Sequence, residues 1–256
     1  MPEIKSTARL MICVIGLVMA NACFAAGDAI EIVKSEGNVT TNNAAGKQEK
    51  AVGTKSVLPP RNVLATGPNG RAVVRMGNAG YIVLEKNSKV ELGNSQDHAG
   101  FLRVITGMIY FALNAIKGDQ KVEVQTKAAT IGVRGTRFLV VDMPDRNEID
   151  MRKGLVSVTS PEGEFEIHRQ AEQDEFEAYK QEARDAIAKE KRKFDEYKAN
   201  TQKEFIEYKR EFSLGANRMA SFDGKQVVDK PLSEESVKDL ESVESYADAW
   251  LKQVND

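Results

Sequence analysis

The sequence predicts a mainly β N-terminal domain, followed by a long amphipathic α-helix and a short C-terminal helix. Three observations predict this order. Short runs of alternating polarity extend from Ile30 to His168, the composition turns to Glu, Lys, Ala and Arg near Gln170, and apolar residues recur every three or four positions after Pro231. Alternation with period two is typical of half-buried strands, and the longer spacing is typical of a helix.

The first 26 residues have the three parts of a secretory signal peptide. Lys5 and Arg9 precede the uncharged residues 10–22, and small residues follow. The uncharged run is shorter than the ~20 apolar residues that span a bilayer. We therefore expect export to the periplasm and removal of residues 1–26.

Both cysteines of the chain, Cys13 and Cys23, lie in this leader. Its removal would leave a mature chain without disulfides or thiolate metal sites. In the alternative interpretation, residues 19–23 are a degenerate lipobox and Cys23 carries a lipid. Asn21 and the lack of Leu or Val three residues before Cys23 argue against a lipobox. We expect contact with a membrane only if Cys23 is lipidated.

Charge and motif content argue against several classes of function. The net charge of −2 at pH 7 gives no general attraction to nucleic acid or anionic lipid. His98 and His168 are the only histidines, and the sequence lacks Gly-x-Ser-x-Gly. We therefore expect no metal, no cofactor and no catalytic residue, and we predict that the protein is not an enzyme.

Residues 27–168 form the predicted β-domain. Periodicity does not separate a sandwich from a coil of stacked β-arcs, because both bury alternate residues between short strands. Within the domain, residues 106–116 are apolar on both faces. They form either a central strand buried on both sides, which we favour, or an edge that a partner covers.

Two segments rich in glycine carry a more specific pattern. Residues 63–72 and 124–138, in this order and at this separation, resemble the signature of the FecR-like domain, and supporting pieces extend the resemblance over residues 28–168. It implies a solenoid-like β-structure of stacked short strands. The family is best known from regulators that carry signals across the bacterial inner membrane, and it also includes secreted periplasmic proteins.

The motif residues are expected to have structural roles in turns. Gly67 and Gly70 would supply positive φ angles in a tight turn. An anion-binding loop at residues 132–137 is the alternative, but a strand-like run follows it where such loops need a helix. The motif positions are Gly67, Gly70, Arg71, Gly132, Arg134, Gly135 and Thr136.

Residues 169–213 are predicted to form one charged helix, a coiled-coil-like arm. A Phe-x-x-Tyr-Lys unit occurs three times at separations of 18 and 11 residues, which equal five and three helical turns. The arm would pack on the β-domain, self-associate or bind a foreign partner. The candidate partner-binding residues on its stripe are Phe176, Tyr179, Phe194, Tyr197, Phe205, Tyr208 and Phe212.

Residues 214–231 are predicted to be a linker, and residues 232–256 a C-terminal helix. We therefore expect a non-enzymatic binding or scaffold protein of the cell envelope that acts through its β-domain and arm. The alternative is a ligand-binding sensor for a glycan, a peptidoglycan fragment or a transporter segment. The expected partners are a second copy, another protein, or a cell-wall or outer-membrane component.

Overall fold

The structure, a computed structural model, describes residues 29–42, 49–93, 100–115, 122–170 and 205–254. This part of the chain contains nineteen β-strands and one α-helix. The predictions of a mainly β chain and of a C-terminal helix are confirmed. The predicted signal peptide lies outside the described residues.

The strands form two sheets that share one long strand, β9. Sheet A contains, in spatial order, β4 (Val57–Leu58), β1 (Ile30–Glu36), β6 (Arg71–Met76), β7 (Gly80–Leu84), the second half of β9 (Gly100–Leu113), β12 (Arg137–Asp142), β13 (Asn147–Lys153), β18 (Arg218–Asp223), β19 (Gln226–Pro231), β15 (Phe165–Arg169) and β16 (Phe205–Lys209). Sheet B contains β3 (Glu49–Ala51), β2 (Val39–Asn42), β5 (Val63–Thr66), β8 (Lys89–Leu92), the first half of β9, β10 (Val122–Gln125), β11 (Thr130–Val133), β14 (Leu155–Thr159) and β17 (Glu211–Gly215).

Strand β9 passes from one sheet to the other at Gly107. The backbone of Gly107 has a φ of +101°, and a Cβ there would lie 2.4 Å from the Oγ of Ser88. That Oγ also lies 3.0 Å from both the amide nitrogen and the carbonyl oxygen of Met108. Glycine is therefore needed for both the backbone angle and the close approach.

The two sheets pack face to face around the larger hydrophobic core. Alternate residues of the strands point into it, for example Ile82 and Leu84 from sheet A and Val90 and Leu92 from sheet B. Nearly all neighbouring strands are antiparallel, the exceptions being β9 with β10 and β15 with β19. The described residues thus form a two-sheet sandwich, and the expected solenoid character is not confirmed.

The helix α1 (Glu234–Leu251) covers the outer face of sheet A. Ser233 caps it by accepting a hydrogen bond from the amide of Ser236, and Glu234 and Glu235 lie in its first turn. Its apolar face packs on the outward side chains of the central strands, in a second core that contains Val73, Val83, Tyr110, Leu139, Val141, Leu240, Val243, Ala247 and Leu251. Strand β7 is consequently buried on both faces.

The second half of β9 is buried on both faces in the same way. Phe111 points into the core between the sheets, and Tyr110 points toward α1. This confirms that residues 106–113 form a central strand rather than an edge. Stacking of the Phe111 and Phe138 rings, with centroids 4.9 Å apart, ties β9 to β12.

A buried charge cluster holds the first half of α1 against β13. The Nη1 of Arg146 lies 2.6 Å from the Oδ2 of Asp239 on the helix, and its Nε lies 2.5 Å from the Oε2 of Glu148. Asp150 lies beside them with no solvent exposure. Burial, followed by repulsion from Glu148, raises the pKa of Asp150 to about 7.

The prediction of one unbroken helix over residues 169–213 is wrong. Phe205–Lys209 and Glu211–Gly215 are strands β16 and β17, and Phe205 lies opposite Arg169 in an antiparallel pair. A single helix over residues 169–213 advances ~1.5 Å per residue, so it would place residue 205 far from residue 169 and not opposite it. Residues 171–204 lie outside the described residues.

The prediction of a linker over residues 214–231 is also wrong. This segment contains β18 and β19, which pair with each other and lie between β13 and β15 in sheet A. The turn at Gly224 closes the hairpin of these two strands. The structure of this segment depends on its pairing with β13 and β15, which are distant in sequence.

Candidate interaction surface

Two exposed apolar side chains lie together on β16, the last strand of sheet A. Ile206 is 47% exposed and Tyr208 is 64% exposed, and both belong to the small group of large apolar side chains that are exposed in the described part of the chain. They point to the same side of the strand because they are two residues apart. We call Ile206, Tyr208 and their neighbours on β15, Glu166 and His168, the β16 surface.

The register of β15 and β16 fixes this arrangement. Tyr208 lies opposite Glu166, and Ile206 lies opposite His168. These four side chains are on the outer face of sheet A, because the alternate residues Phe165 and Ile167 point into the core. Along this face α1 contacts the central strands, whereas Ile206 and Tyr208 of β16 are exposed.

Polar contacts fix the groups beside Tyr208. The Nε2 of His168 lies 2.9 Å from the Oε1 of Glu166. This hydrogen bond lowers the pKa of the Glu166 carboxyl, and the Tyr208 hydroxyl acts in the same direction. The β16 surface therefore combines an aromatic ring, an aliphatic side chain and an ionised carboxylate.

The opposite side of β16 carries an ion pair. The Nζ of Lys209 lies 2.7 Å from the Oε2 of Glu207. The contact with Lys209 lowers the pKa of Glu207. The Nε of Arg169 on β15 is 3.9 Å from the same oxygen. Opposite charges thus alternate along the strand at the edge of the sheet.

The segment from Phe205 to Gly215 closes one end of both sheets. Among the described residues, β16 pairs only with β15 and β17 pairs only with β14. The outer edge of β16 therefore has backbone groups that no described strand uses. Such edges bind other strands unless they are covered.

The predicted partner-binding residues have three different outcomes. Tyr208 is exposed on the β16 surface, whereas Phe212 is buried and packs edge-on against Phe165 with ring centroids 5.8 Å apart. Phe205 lies on β16, although nothing is described of its side chain. The other four, Phe176, Tyr179, Phe194 and Tyr197, lie outside the described residues.

The first motif turn depends on close backbone approach. Gly67 and Gly70 do not have the expected positive φ. A Cβ at Gly70 would instead lie 2.1 Å from the carbonyl oxygen of Asn38, whose carbonyl also accepts a hydrogen bond from the amide of Gly67. Arg71 follows the turn, forms an ion pair with Glu85 and places its guanidinium 4.0 Å from the ring centroid of Tyr246 on α1.

The second motif turn joins β11 to β12. Gly135 has a φ of +67°, which favours glycine, and a Cβ at Gly132 would lie 2.6 Å from the Oγ of Ser157. Thr136 is buried, and Arg134 is exposed. These positions serve the turn and the packing between strands β11 and β14.

A polar groove of about 550 Å³ lies where the end of α1 meets β12 and β13. The Nε of Arg152 is 3.3 Å from the Oε1 of Glu244, and Arg137 donates to the carbonyl of Leu251 at 3.4 Å. Basic groups next to helix C-terminal carbonyls are favourable. The charged side chains that line the groove are Arg137, Arg152, Lys153, Lys252, Glu244 and Asp248.

The described residues contain no group of three or more His, Cys, Asp or Glu side chains placed to hold a metal ion. The helix α1 is too polar to cross a membrane, and it is the one helix in the described ranges.

Comparison with known proteins places a FecR-like region in the centre of the fold. Residues 62–157 match the family model described as FecR protein. The resemblance found in the sequence is therefore confirmed over this stretch, which contains both motif turns and strands β5 to β13. No curated protein matches the chain.

Two solved structures are similar to this chain at a low level. Both are crystal structures of a candidate anti-sigma factor from Parabacteroides distasonis ATCC 8503, at 1.65 Å and 2.50 Å resolution. Each is 12% identical to this chain with a TM-score of 0.45, and each alignment covers 69% of this chain. The chain spans 62% of the length of those structures.

Proposed function

We propose that the protein is a non-enzymatic binding protein of the bacterial cell envelope that acts through protein–protein contacts. The observation that carries this proposal is the β16 surface, where Ile206 and Tyr208 are exposed beside an edge that no described strand covers. The leader predicted from the sequence supports export. The FecR-like region supports a role in envelope signalling.

The β16 surface has the properties of a protein contact. Tyrosine is enriched in interfaces because it combines a large apolar ring with a polar hydroxyl. A free strand edge also offers main-chain hydrogen bonds to an extended segment of a partner. The side chains of Ile206 and Tyr208 would supply the apolar contact, and the edge would supply the alignment.

A photo-cross-linking amino acid at position 208 tests the proposal in cells. We expect Tyr208 replaced by benzoylphenylalanine to give a discrete protein adduct, because the side chain would lie in the contact. The matched control is the same replacement of Val57, which is 65% exposed on β4 at the other end of sheet A. Adducts of equal yield at both positions, or none at 208, would contradict the proposal.

A second candidate function is a sensor of an acidic ligand, and the polar groove favours it. Its four basic side chains outnumber its two carboxylates. A peptidoglycan fragment carries carboxylates that these groups could pair with. In this case the fragment should raise the melting temperature of the wild type, and Arg152→Ala should reduce the rise. An unchanged melting temperature at saturating concentrations of the fragment would remove this candidate.

A further inference from the structure

We infer that the outer edge of β16 pairs in antiparallel orientation with β16 of a second copy of this chain, with Tyr208 opposite the Tyr208 of that copy. The inference rests on the proposed function and names its partner. It extends sheet A across a two-fold axis from one copy into the next.

The charge pattern of β16 favours this register. Glu207 and Lys209 lie on the same side of β16, two residues apart, with Tyr208 between them. Centring an antiparallel pair on Tyr208 puts Glu207 opposite Lys209 of the second copy, and this contact occurs twice. Centring it on Glu207 or on Lys209 would put like charges directly opposite each other, which is unfavourable.

The apolar side chains on the outer face of β16 favour the same register. With Tyr208 at the centre, the two tyrosine rings become direct cross-strand neighbours. Ile206 then lies opposite Arg210 of the second copy, whose aliphatic stem can cover it. Both of the exposed apolar side chains of β16 would gain cross-strand neighbours and be partly covered in this register, whereas both are exposed in a single copy.

This pairing is also compatible with two-fold symmetry. A two-fold axis through a residue pair makes the contact isologous, so one surface satisfies both copies and the assembly closes as a dimer. Side chains that lie opposite each other point to the same side of a sheet. The outer faces of the two A sheets, each with its α1, would therefore be on one side of the dimer, and both B sheets on the other.

Charge reversal tests the pairing directly. Glu207→Lys alone and Lys209→Glu alone each put like charges opposite each other in a homodimer, and we expect each to weaken dimerisation at least about tenfold, corresponding to ~1.4 kcal/mol. An equimolar mixture of the two variants restores opposite charges in both contacts. We expect it to form a mixed dimer in sedimentation-velocity experiments on the purified chain, although each variant alone is monomeric.

The mixture separates this inference from an effect on folding. Each single variant keeps its own like charges within β16 whether or not its partner is present, so only a contact between copies explains recovery in the mixture. The double variant Glu207→Lys/Lys209→Glu restores both the ion pair within the strand and those across the interface, and it should dimerise like the wild type. Lys238→Glu, at an exposed position of α1, controls for the change in net charge.

A wild type that stays monomeric at about 100 μM, where an interface of ordinary affinity would be populated, overturns the inference. A dimer that neither single reversal weakens also overturns it, because the contact would then lie elsewhere. In cells, an adduct from position 208 to a second copy agrees with the inference. An adduct to a different protein refutes the inference and leaves the proposed function intact, whereas the lack of any adduct refutes both.

Discussion

Replacing Gly107 by alanine should destabilise the fold more than replacing any glycine in an open turn. Gly107 marks the bend where β9 leaves sheet B and enters sheet A, with a φ of +101°. An added Cβ would meet the Oγ of Ser88 at 2.4 Å and its Cα at 2.5 Å. The Cα belongs to the backbone of the neighbouring strand, so rotating the serine side chain does not remove the clash.

The expected cost has two parts. Holding an alanine at this φ costs about 2 kcal/mol, within the ~1–3 kcal/mol typical of a strained backbone angle. Moving Ser88 away also weakens its two contacts with the backbone of Met108, each 3.0 Å long and each typically worth about 1 kcal/mol. We therefore expect Gly107→Ala to lower the free energy of unfolding by about 4 kcal/mol.

Gly224→Ala is the matched control. Gly224 also has a positive φ, +58°, but nothing lies within 4 Å of the position of its Cβ. Only the cost of the backbone angle applies, about 1 kcal/mol. Urea denaturation followed by the fluorescence of Trp250, the single tryptophan, measures both variants. Equal destabilisation by the two substitutions would refute the role of close packing at the β9 bend.

Two further predictions concern buried side chains. The folded state keeps on Asp150 a proton that the unfolded state releases, since its pKa rises from an ordinary 3.8 to about 7. The free energy of unfolding should consequently fall by at most about 4 kcal/mol as the pH rises from about 4 to 7. Urea titrations at several pH values should show that Asp150→Asn removes this fall. Asp223→Asn, at an exposed position, should keep it. In the same assay Phe212→Ala should lower the free energy of unfolding by about 4 kcal/mol because Phe212 is buried, whereas Tyr208→Ala, at an exposed position, should lower it by less than about 0.5 kcal/mol. Equal losses would contradict the placement of these two residues.

The central strands could be predicted because their sequence matches their surroundings. Residues 106–113 carry apolar side chains on both faces of the strand. In the structure these side chains are buried between sheet B and α1. The helix α1 was predictable for a similar reason, since Leu240, Val243 and Ala247 recur at helical spacing and share one packed face. In both elements local pattern and tertiary contacts agree.

The strands near the end of the chain could not be predicted in the same way. The unit at Phe205–Lys209 has the same Phe-x-x-Tyr-Lys pattern as two earlier units, and its composition alone favours a helix. The sequence also carries a competing signal, because polar and apolar residues alternate from Ile206 to Leu214 except at Arg210. The choice between helix and strand depends on the pairing of β16 with β15 and of β17 with β14, and both of these partners lie before residue 170.

The motif glycines illustrate a second limit of sequence reasoning. A glycine followed by Pro and Asn suggests a turn that needs positive φ, and this was the expected role of Gly67 and Gly70. The structure shows that Gly70 is required because the carbonyl of Asn38 occupies the space of a side chain. Asn38 lies 32 positions earlier in the chain, so no local pattern could identify this contact.

The position of the β16 surface relative to the FecR-like match bears on specificity. The matched residues, 62–157, supply strands at the centre of both sheets, and these strands are covered by α1 or by the opposite sheet. The strands at the free edge, β16 and β17, lie outside the match. The FecR-like stretch therefore supplies the central strands, whereas the β16 surface is built by residues outside it. We therefore predict that changes to the exposed side chains of Ile206 and Tyr208 alter binding without altering the central fold, unlike changes to the buried Phe212.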